Sequence, residues 1–545
     1  MNTLRSILAP ELVLIGVAFI LFLMGCVRSV RVRRATAWVA LFALIGAFAT
    51  QVRVVPEGVI LNPNFPYLRL DPFASFFIAL SCLIAIMLLL LAWPTNPEQT
   101  GNSALRFGQD AGEFFGLFLL SIAGLFFVAI SNDLIILFLA LELVSLPTYV
   151  MVSMSRANPV AQEAGVKYFF LGAMSVAIML FGFSYLYGTT GSVNFQEIAT
   201  TLRRGLSSDQ APALTAWQDL AILLLIISFT YKMAAFPLQF YAGDVYEGAG
   251  TPVTAFLAFV PKTAGFIALV RILSLVGGEQ FALPLWLTKF LAITAALTMC
   301  IGNVLGLLQN NVKRVLAYSS IAHSGYMLVA VAALPALAHV IDGPAGALRG
   351  LLFYLIAYGI MNTGAFGVLM MLPSRTGSGS AETFDEIAGQ GRRHVWLGLA
   401  MAIACFSLIG IPLTVGFIGK VLLILPALRG GLTWLVIVLI INAAISAAYY
   451  LRITGSMFLR PGTPLTAEGA EQTLPVRQRA VAAGVLISAV ATLVFGLVPP
   501  AVSALMNYAE SVGAPASIRP VEGAGPVEAA VSQAVTPPAP AAPGM

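Results

Sequence analysis

About fourteen runs of roughly twenty apolar residues follow one another along this chain, each long enough to cross the ~30 Å hydrocarbon core of a bilayer as a helix. No other feature restricts the fold as much. In lipid every backbone N–H and C=O needs an internal partner, so a spanning segment is either a helix or a strand of a closed barrel. Barrel strands read as short alternating segments, whereas these runs are long and continuous. The expected fold class is all-α and polytopic, with about 14 transmembrane helices. Composition agrees: 59% of the 545 residues are hydrophobic and 10% are charged, against about 25% charged in a soluble domain. The net charge of +5 is scattered through short loops, so the lipid bilayer is an expected partner and nucleic acid is not. Cys26, Cys82, Cys300 and Cys405 sit in separate apolar segments without ligand spacing and read as buried packing residues.

The loops predict sidedness. The first apolar run, Leu12–Val27, lacks a small-x-small cleavage site and is followed at once by Arg28, Arg31, Arg33 and Arg34, so it reads as a retained span. Under the positive-inside rule those arginines stay in the cytoplasm. Alternating from there keeps Arg156, Lys167, Lys313, Arg314, Arg392, Arg393, Arg460, Arg477 and Arg479 inside, and fewer basic residues, such as Arg53, Arg69, Arg203 and Arg204, outside. An even number of spans then leaves both termini on the outer side.

Charges inside the apolar runs point to chemistry. The stretch Ala221–Phe266 holds Lys232 and Lys262 at membrane depth, separated by Pro237, Gly243, Gly248, Gly250 and Pro252. A charge at the bilayer centre costs roughly 2.5–3.5 kcal/mol on insertion scales, and broken backbone at that depth is tolerated only beside protein or a wet cavity. The combination reads as an ion path. A second broken segment, LIGIPLTVGFIGK (Leu408–Lys420), again carries a proline, Pro412, and a lysine, Lys420. The two breaks lie five spans apart, an odd offset, so the units around them insert in opposite orientations. Paired broken helices in inverted repeats mark a transporter's ion site. The expected segments are 1–110 (three spans), 111–280 (first repeat, spans 4–8), 281–460 (second repeat, spans 9–13), 461–512 (last span) and 513–545 (disordered Pro/Ala-rich tail).

Glu142 lies about eight residues into its span, roughly 12 Å deep, with no partner nearby in LFLALELVSLP. A pair with Lys232 would switch: opposite charge favours both ionised forms, and separation in a dry interior favours the neutral ones. A static strut is the plainer reading, but apolar packing does that job at least as well. Lys262, about eleven residues into its helix, is too deep to snorkel easily, and lysine suits proton relay because it gives up its proton when buried, as arginine does not. His323 sits in NNVKRVLAYSSIAHSGYMLV among the hydroxyls of Tyr318, Ser319, Ser320, Ser324 and Tyr326, a setting for proton passage near neutral pH or for a hydrogen-bonded core histidine. Asn442, Ser446, Tyr449 and Tyr450 on a later span serve equally as a wet path or as interhelical bonds. There is no P-loop, dinucleotide glycine motif, CxxC set or haem-type histidine pair.

The segments LFLALELVSLPTYVMV, YKMAAFPLQFYAGDVYEGAGTPVTAFLAFVPKTAGF, NNVKRVLAYSSIAHSGYMLV and GIPLTVGFIGK resemble, in order and spacing, the antiporter-like membrane subunits of respiratory complex I. These are related to subunits of multisubunit cation/proton antiporters. Among the three paralogous groups the chain is similar to subunit N, the counterpart of mitochondrial subunit 2, because Lys420 stands where subunit M has a glutamate and no long lateral helix follows. The resemblance implies a proton-translocating subunit of an NADH:quinone oxidoreductase in the bacterial plasma membrane, the alternative being a subunit of a multisubunit cation/proton antiporter or of a membrane-bound hydrogenase relative. It gives Glu142 and Lys232 as the switchable pair, Lys262 as central relay, His323 as bridge and Lys420 as outlet. It further implies no cofactor in this chain, with FMN, iron–sulfur clusters and quinone held by partner subunits, and neighbours among paralogous antiporter-like and small membrane subunits. Two positions depart from the family pattern: Gln239 where a histidine is usual, and Gly243 where a proline precedes Asp244-Val245-Tyr246.

Overall fold

The computed structural model describes residues 2–27, 29–54, 60–62, 65–93, 110–155, 159–206, 210–340, 343–372, 381–461 and 479–498; the expected tail, 513–545, lies outside them. An N-terminal group comprises α1 (Asn2–Gly25), α2 (Val30–Arg53), a hairpin of β1 (Ile60–Asn62) and β2 (Phe65–Leu70), and α3 (Pro72–Leu91). Next come α4 (Ala111–Ile130), α5 (Leu134–Met154), α6 (Pro159–Thr190), short α7 (Phe195–Leu202), α8 (Ala216–Met233), short α9 (Ala242–Gly248) and α10 (Thr251–Gly277). A second series follows: α11 (Leu285–Leu307), α12 (Val312–Ala336), α13 (Gly343–Met371), short α14 (Phe384–Ile387) and α15 (Gln390–Arg393), α16 (Val395–Ile409), α17 (Val415–Arg429) and α18 (Thr433–Phe458), with α19 (Arg479–Leu497) last.

Thirteen of the described helices are long and apolar enough to cross a membrane, or up to fourteen with the pair Phe384–Arg393 and Val395–Ile409, bent by 119°, counted as one span. At 15 residues each, α16 and α17 are too short to cross alone at about 1.5 Å per residue. Counted as one crossing about the break at 410–414, in place of that bent pair, they give the second series five crossings, as in the first. Helix α6 begins nine residues before the expected Tyr168, because Glu163 and Lys167 pair one turn apart (2.8 Å) and carry the helix beyond the apolar run.

The two series repeat one plan. In the first, Asp133 caps α5 by accepting from the Ile135 and Ile136 amides and pairs through its backbone with Asn194, the cap of α7. In the second, Asn311 caps α12 by accepting from the Lys313 and Arg314 amides and pairs with Thr383, the cap of α14. Five crossings separate the two caps, so the matching turns face opposite sides, as an inverted repeat requires. Pro237 lies in the break between α8 and α9, and Pro412 in that between α16 and α17. The lysines, however, fall on opposite sides of their breaks: Lys232 lies in the last turn of α8, whereas Lys420 lies inside α17.

Lipid tails are as apolar as leucine, so helices here are held by close packing and interhelical bonds rather than by the hydrophobic effect. The arrangement leaves three helices away from lipid: α10 and α13 are buried along their apolar spans and α12 nearly so, while α6 and α19 keep most of their spans exposed. Two cysteine expectations need correcting: Cys82 and Cys405 are buried, but Cys26 and Cys300 are exposed. Apolar surroundings in sequence do not separate core from lipid-facing positions when both are apolar.

Candidate functional site

Helix α5 places Glu142 and Ser145 one turn apart on the same face. The last turn of α8 delivers Lys232 to both, with Nζ 3.1 Å from Glu142 Oε1 and 2.5 Å from Ser145 Oγ. The α8 backbone turns away directly afterwards, at Ala234 in the left-handed region (φ 52°). Lys232 is 2% exposed and the Glu142 side chain 16%. Tyrosines wall this pair: Tyr231 donates to the Tyr168 carbonyl (2.6 Å) and Tyr241 to the Tyr231 carbonyl (2.8 Å), with Tyr149 edge-on to Tyr168 at 4.7 Å.

Helix α10 is entered through Pro252 and buries Lys262, which is 2% exposed. Its Nζ donates to the Ser320 carbonyl (2.6 Å) and to Ser324 Oγ (3.1 Å). Ser324 Oγ in turn donates to the carbonyl of Met233 (2.6 Å), the neighbour of Lys232. Among the described residues no carboxylate lies within ion-pair distance of Lys262. Its positive charge is therefore held only by neutral oxygens.

The polar patch on α12 divides by helical spacing. Ser320 and Ser324, four residues apart, share one stripe and serve Lys262. Ser319 and His323 form the adjacent stripe and serve α13 and α18. His323 Nδ1 lies 2.9 Å from the Tyr354 hydroxyl and Nε2 3.1 Å from that of Tyr450; Tyr450 also bonds Ser319. Tyr358 donates to Ser320 Oγ (2.7 Å) and packs its ring 5.1 Å from the imidazole, which joins the two stripes. The hydroxyls on His323's own helix were the expected setting; its recorded partners are tyrosines of α13 and α18. An α-helix turns neighbouring positions away from one another, so proximity in sequence is a poor guide to contact.

Lys420 reaches back across its break, donating to the carbonyls of Leu408 (3.1 Å) and Ile409 (2.6 Å). These end α16, where unpaired carbonyls concentrate partial negative charge. Gly410 is needed twice here: its φ is +88°, and a Cβ would sit 2.9 Å from Lys420 Cδ. The ammonium also lies over the Tyr326 ring, 4.8 Å from its centroid. The Tyr326 hydroxyl accepts from Asn303 Nδ2 (3.2 Å), which also donates to Asn442 Oδ1 (3.1 Å); Tyr449 donates to Asn303 Oδ1 (2.9 Å). Polar groups thus run from Glu142 to Lys420 through both repeats.

Neither departure from the family pattern falls on the lysines. Gln239 is buried, and its Oε1 has no hydrogen-bond partner among the described residues. At Gly243 a Cβ would stand 2.8 Å from the Tyr318 hydroxyl, so the bare backbone makes room for Tyr318 over α9. Sequence reasoning missed Ser145, Tyr354, Tyr358 and the buried group of Asp71, Arg69 and Arg271. Among the described residues no group of three or more His, Cys, Asp or Glu side chains is placed to hold a metal ion.

The profile of the family described as NADH:quinone oxidoreductase/Mrp antiporter, TM, matches residues 131–446. NADH-quinone oxidoreductase subunit N of Trichlorobacter lovleyi is 34% identical over 506 residues, covering 93% of this chain and 96% of the relative. The subunit N of a Geobacillus species is 36% identical over 507 residues, covering 91% and 96%. Among solved structures, a chain of respiratory complex I from Thermus thermophilus with bound aureothin superposes with a TM-score of 0.68 at 29% identity, covering 90% of this chain and 98% of that one. A chain of the Mrp complex from a Dietzia species gives a TM-score of 0.74 at 21% identity, covering 93% and 98%, which speaks for the fold alone. With more than half of its length matched by the profile and relatives over 30% identical along nearly all of it, the chain belongs to the NADH:quinone oxidoreductase/Mrp antiporter family of multi-pass membrane proteins.

Proposed function

We propose that this chain is a subunit of the N type in a bacterial NADH:quinone oxidoreductase and that it moves protons across the plasma membrane, driven by quinone reduction elsewhere in the complex. The observation that carries the reading is the succession of buried ionisable groups, Glu142–Lys232, Lys262, His323 and Lys420, set among hydroxyls and carbonyls, with Lys262 and His323 on helices that lipid does not reach. Glu142 and Lys232 act as the switchable pair, Lys262 as the central relay, His323 between Tyr354 and Tyr450 as the bridge, and Lys420 as the outlet. Pro237 and Pro412 hold the breaks open. The working segments are 1–110, 111–280, 281–460, 461–512 and 513–545, and both termini face outward. FMN, iron–sulfur clusters and quinone sit in partner subunits, with other antiporter-like and small membrane subunits alongside this one.

The neighbouring function in the family is a cation/proton antiporter subunit, and the likeness to the Mrp chain favours the same fold for it. Co-purification decides between the two. A tagged chain drawn from native membranes brings flavin and iron–sulfur proteins with NADH:quinone reductase activity; recovery with small membrane subunits alone refutes the oxidoreductase reading. Within the assembled complex Lys232→Ala and Lys262→Ala each abolish coupled proton uptake. Retained uptake in both variants reduces the chain to a scaffold.

A further inference from the structure

Outside the relay, a buried charged group lies where α3 begins, α4 ends and α10 approaches its own end. Arg271, 2% exposed, donates from Nη1 to Asp71 Oδ2 (2.5 Å) and from Nη2 to Asp71 Oδ1 (3.0 Å) and the Ala129 carbonyl (2.5 Å). It also stacks 5.4 Å from the centre of Phe73. Arg69 adds a second guanidinium, 3.2 Å from Asp71. Two cations therefore share one carboxylate. Bonds to Asp71 and Ala129 join α10 to the N-terminal group and the first repeat, which a structural clasp explains.

The internal repeat suggests more. Arg452 stands on α18, the counterpart of α10, and donates to the Gln309 carbonyl (3.0 Å) and Asn310 Oδ1 (2.9 Å) while stacking 4.0 Å from Phe384. Ala129 and Gln309 occupy matching turns, just before the caps Asp133 and Asn311 of the second helix in each repeat. Each repeat thus carries an arginine on its fifth spanning helix, bonded to the carbonyl at the turn between its first two helices and laid on a phenylalanine. Because the repeats are inverted, the two arginines lie toward opposite faces of the membrane.

Both arginines stand toward the ends of their helices, beyond the relay groups. Arg271 lies about 13 Å along α10 from Lys262, and residues 264–270 between them are all apolar. Arg452 lies just beyond Tyr450, whose hydroxyl bonds His323. Among the described residues Arg452 has no carboxylate within ion-pair distance. A guanidinium keeps its charge at any physiological pH, and a fixed positive charge repels protons and other cations, as arginines do in selective pores.

We propose that Arg271 and Arg452 are paired electrostatic seals, which shut the two repeats at opposite faces of the membrane and force protons to cross laterally from Lys262 to Lys420. The proposal rests on the relay reading above. Its test uses the purified complete complex in liposomes, without NADH or quinone, and follows decay of an imposed pH gradient per assembled complex. Arg271→Gln and Arg452→Gln each speed the decay at least threefold, while Arg271→Lys and Arg452→Lys, which keep a charge, stay within a factor of about 1.5 of wild type. If Arg271→Gln does not assemble, the Arg452 pair, on a partly exposed side chain, decides alone. Assembled Gln variants as tight as wild type overturn the proposal, as do Lys variants that leak as fast as Gln. Passive leak needs no turnover, so a failed relay shows separately, as Lys262→Ala complexes that still pump.

Discussion

Replacing Lys262 with methionine removes the charge at the centre of the proposed relay and keeps an unbranched side chain of similar volume. The structure indicates a small effect on the fold. Ser324 still donates to the Met233 carbonyl and Ser320 Oγ still accepts from Tyr358, so neither hydroxyl is orphaned. The two lost charge-assisted bonds, at 2.6 and 3.1 Å, are worth roughly 1.5–3 kcal/mol each. Losing them is offset by no longer burying an ammonium, which costs several kcal/mol. Stability of the assembled subunit should therefore move by no more than about 2 kcal/mol. Transport should fail, because only serines and tyrosines then bridge the interval between Lys232 and His323. Coupled proton uptake is expected to fall at least about 100-fold, or ~2.7 kcal/mol at 1.36 kcal/mol per decade. Lys262→Arg keeps the charge but does not release its proton near neutral pH, and it should assemble while failing in the same way. Lys262→Ala adds a cavity worth about 2–4 kcal/mol and separates packing from charge. The assay is quinone reductase rate with proton uptake in vesicles, on complexes matched for subunit content. Full coupled activity in the arginine or methionine variant refutes the relay role, and loss of assembly in the methionine variant refutes the energetic reasoning.

Glu142→Gln leaves Lys232 buried beside a neutral amide; removing one partner of such a pair costs roughly 3–5 kcal/mol. It should lower the melting temperature of the complex, while Glu142→Gln/Lys232→Met recovers most of that loss without recovering transport. Tyr354→Phe and Tyr450→Phe each remove one hydroxyl from His323 and should slow coupled uptake by about tenfold in correctly assembled complexes; unchanged rates in both would take His323 out of the route. For sidedness, a cysteine replacing Thr200 should react with an impermeant maleimide in intact cells and one replacing Asn310 only after permeabilisation; the reverse pattern inverts the orientation.

Much of this protein is legible without coordinates because insertion into lipid penalises certain residues whatever their neighbours. A lysine in an apolar run stands out at once, which is why Glu142, Lys232, Lys262 and Lys420 were identifiable singly. Prolines 237 and 412 were identifiable too, since a missing N–H breaks a helix locally. The run lengths set the number of spans, and the odd offset between the two breaks implied opposite orientations. Contacts were not legible to the same degree. Tyr354 and Tyr358 are ordinary residues for a membrane helix, and only the rotation and burial of α13 turn them toward His323. Cys300 and Cys405 read alike in sequence, yet one is exposed and the other buried, because both sides of these helices are apolar. Lys232 and Lys420 looked equivalent as lysines beside prolines; the fold gives one a carboxylate and the other the carbonyl end of a half-helix. Arg271 and Asp71 meet across 200 positions, and no local pattern announces such a pair. The cost of a buried charge is a property of the residue and its depth, whereas its partner is a property of how the helices pack.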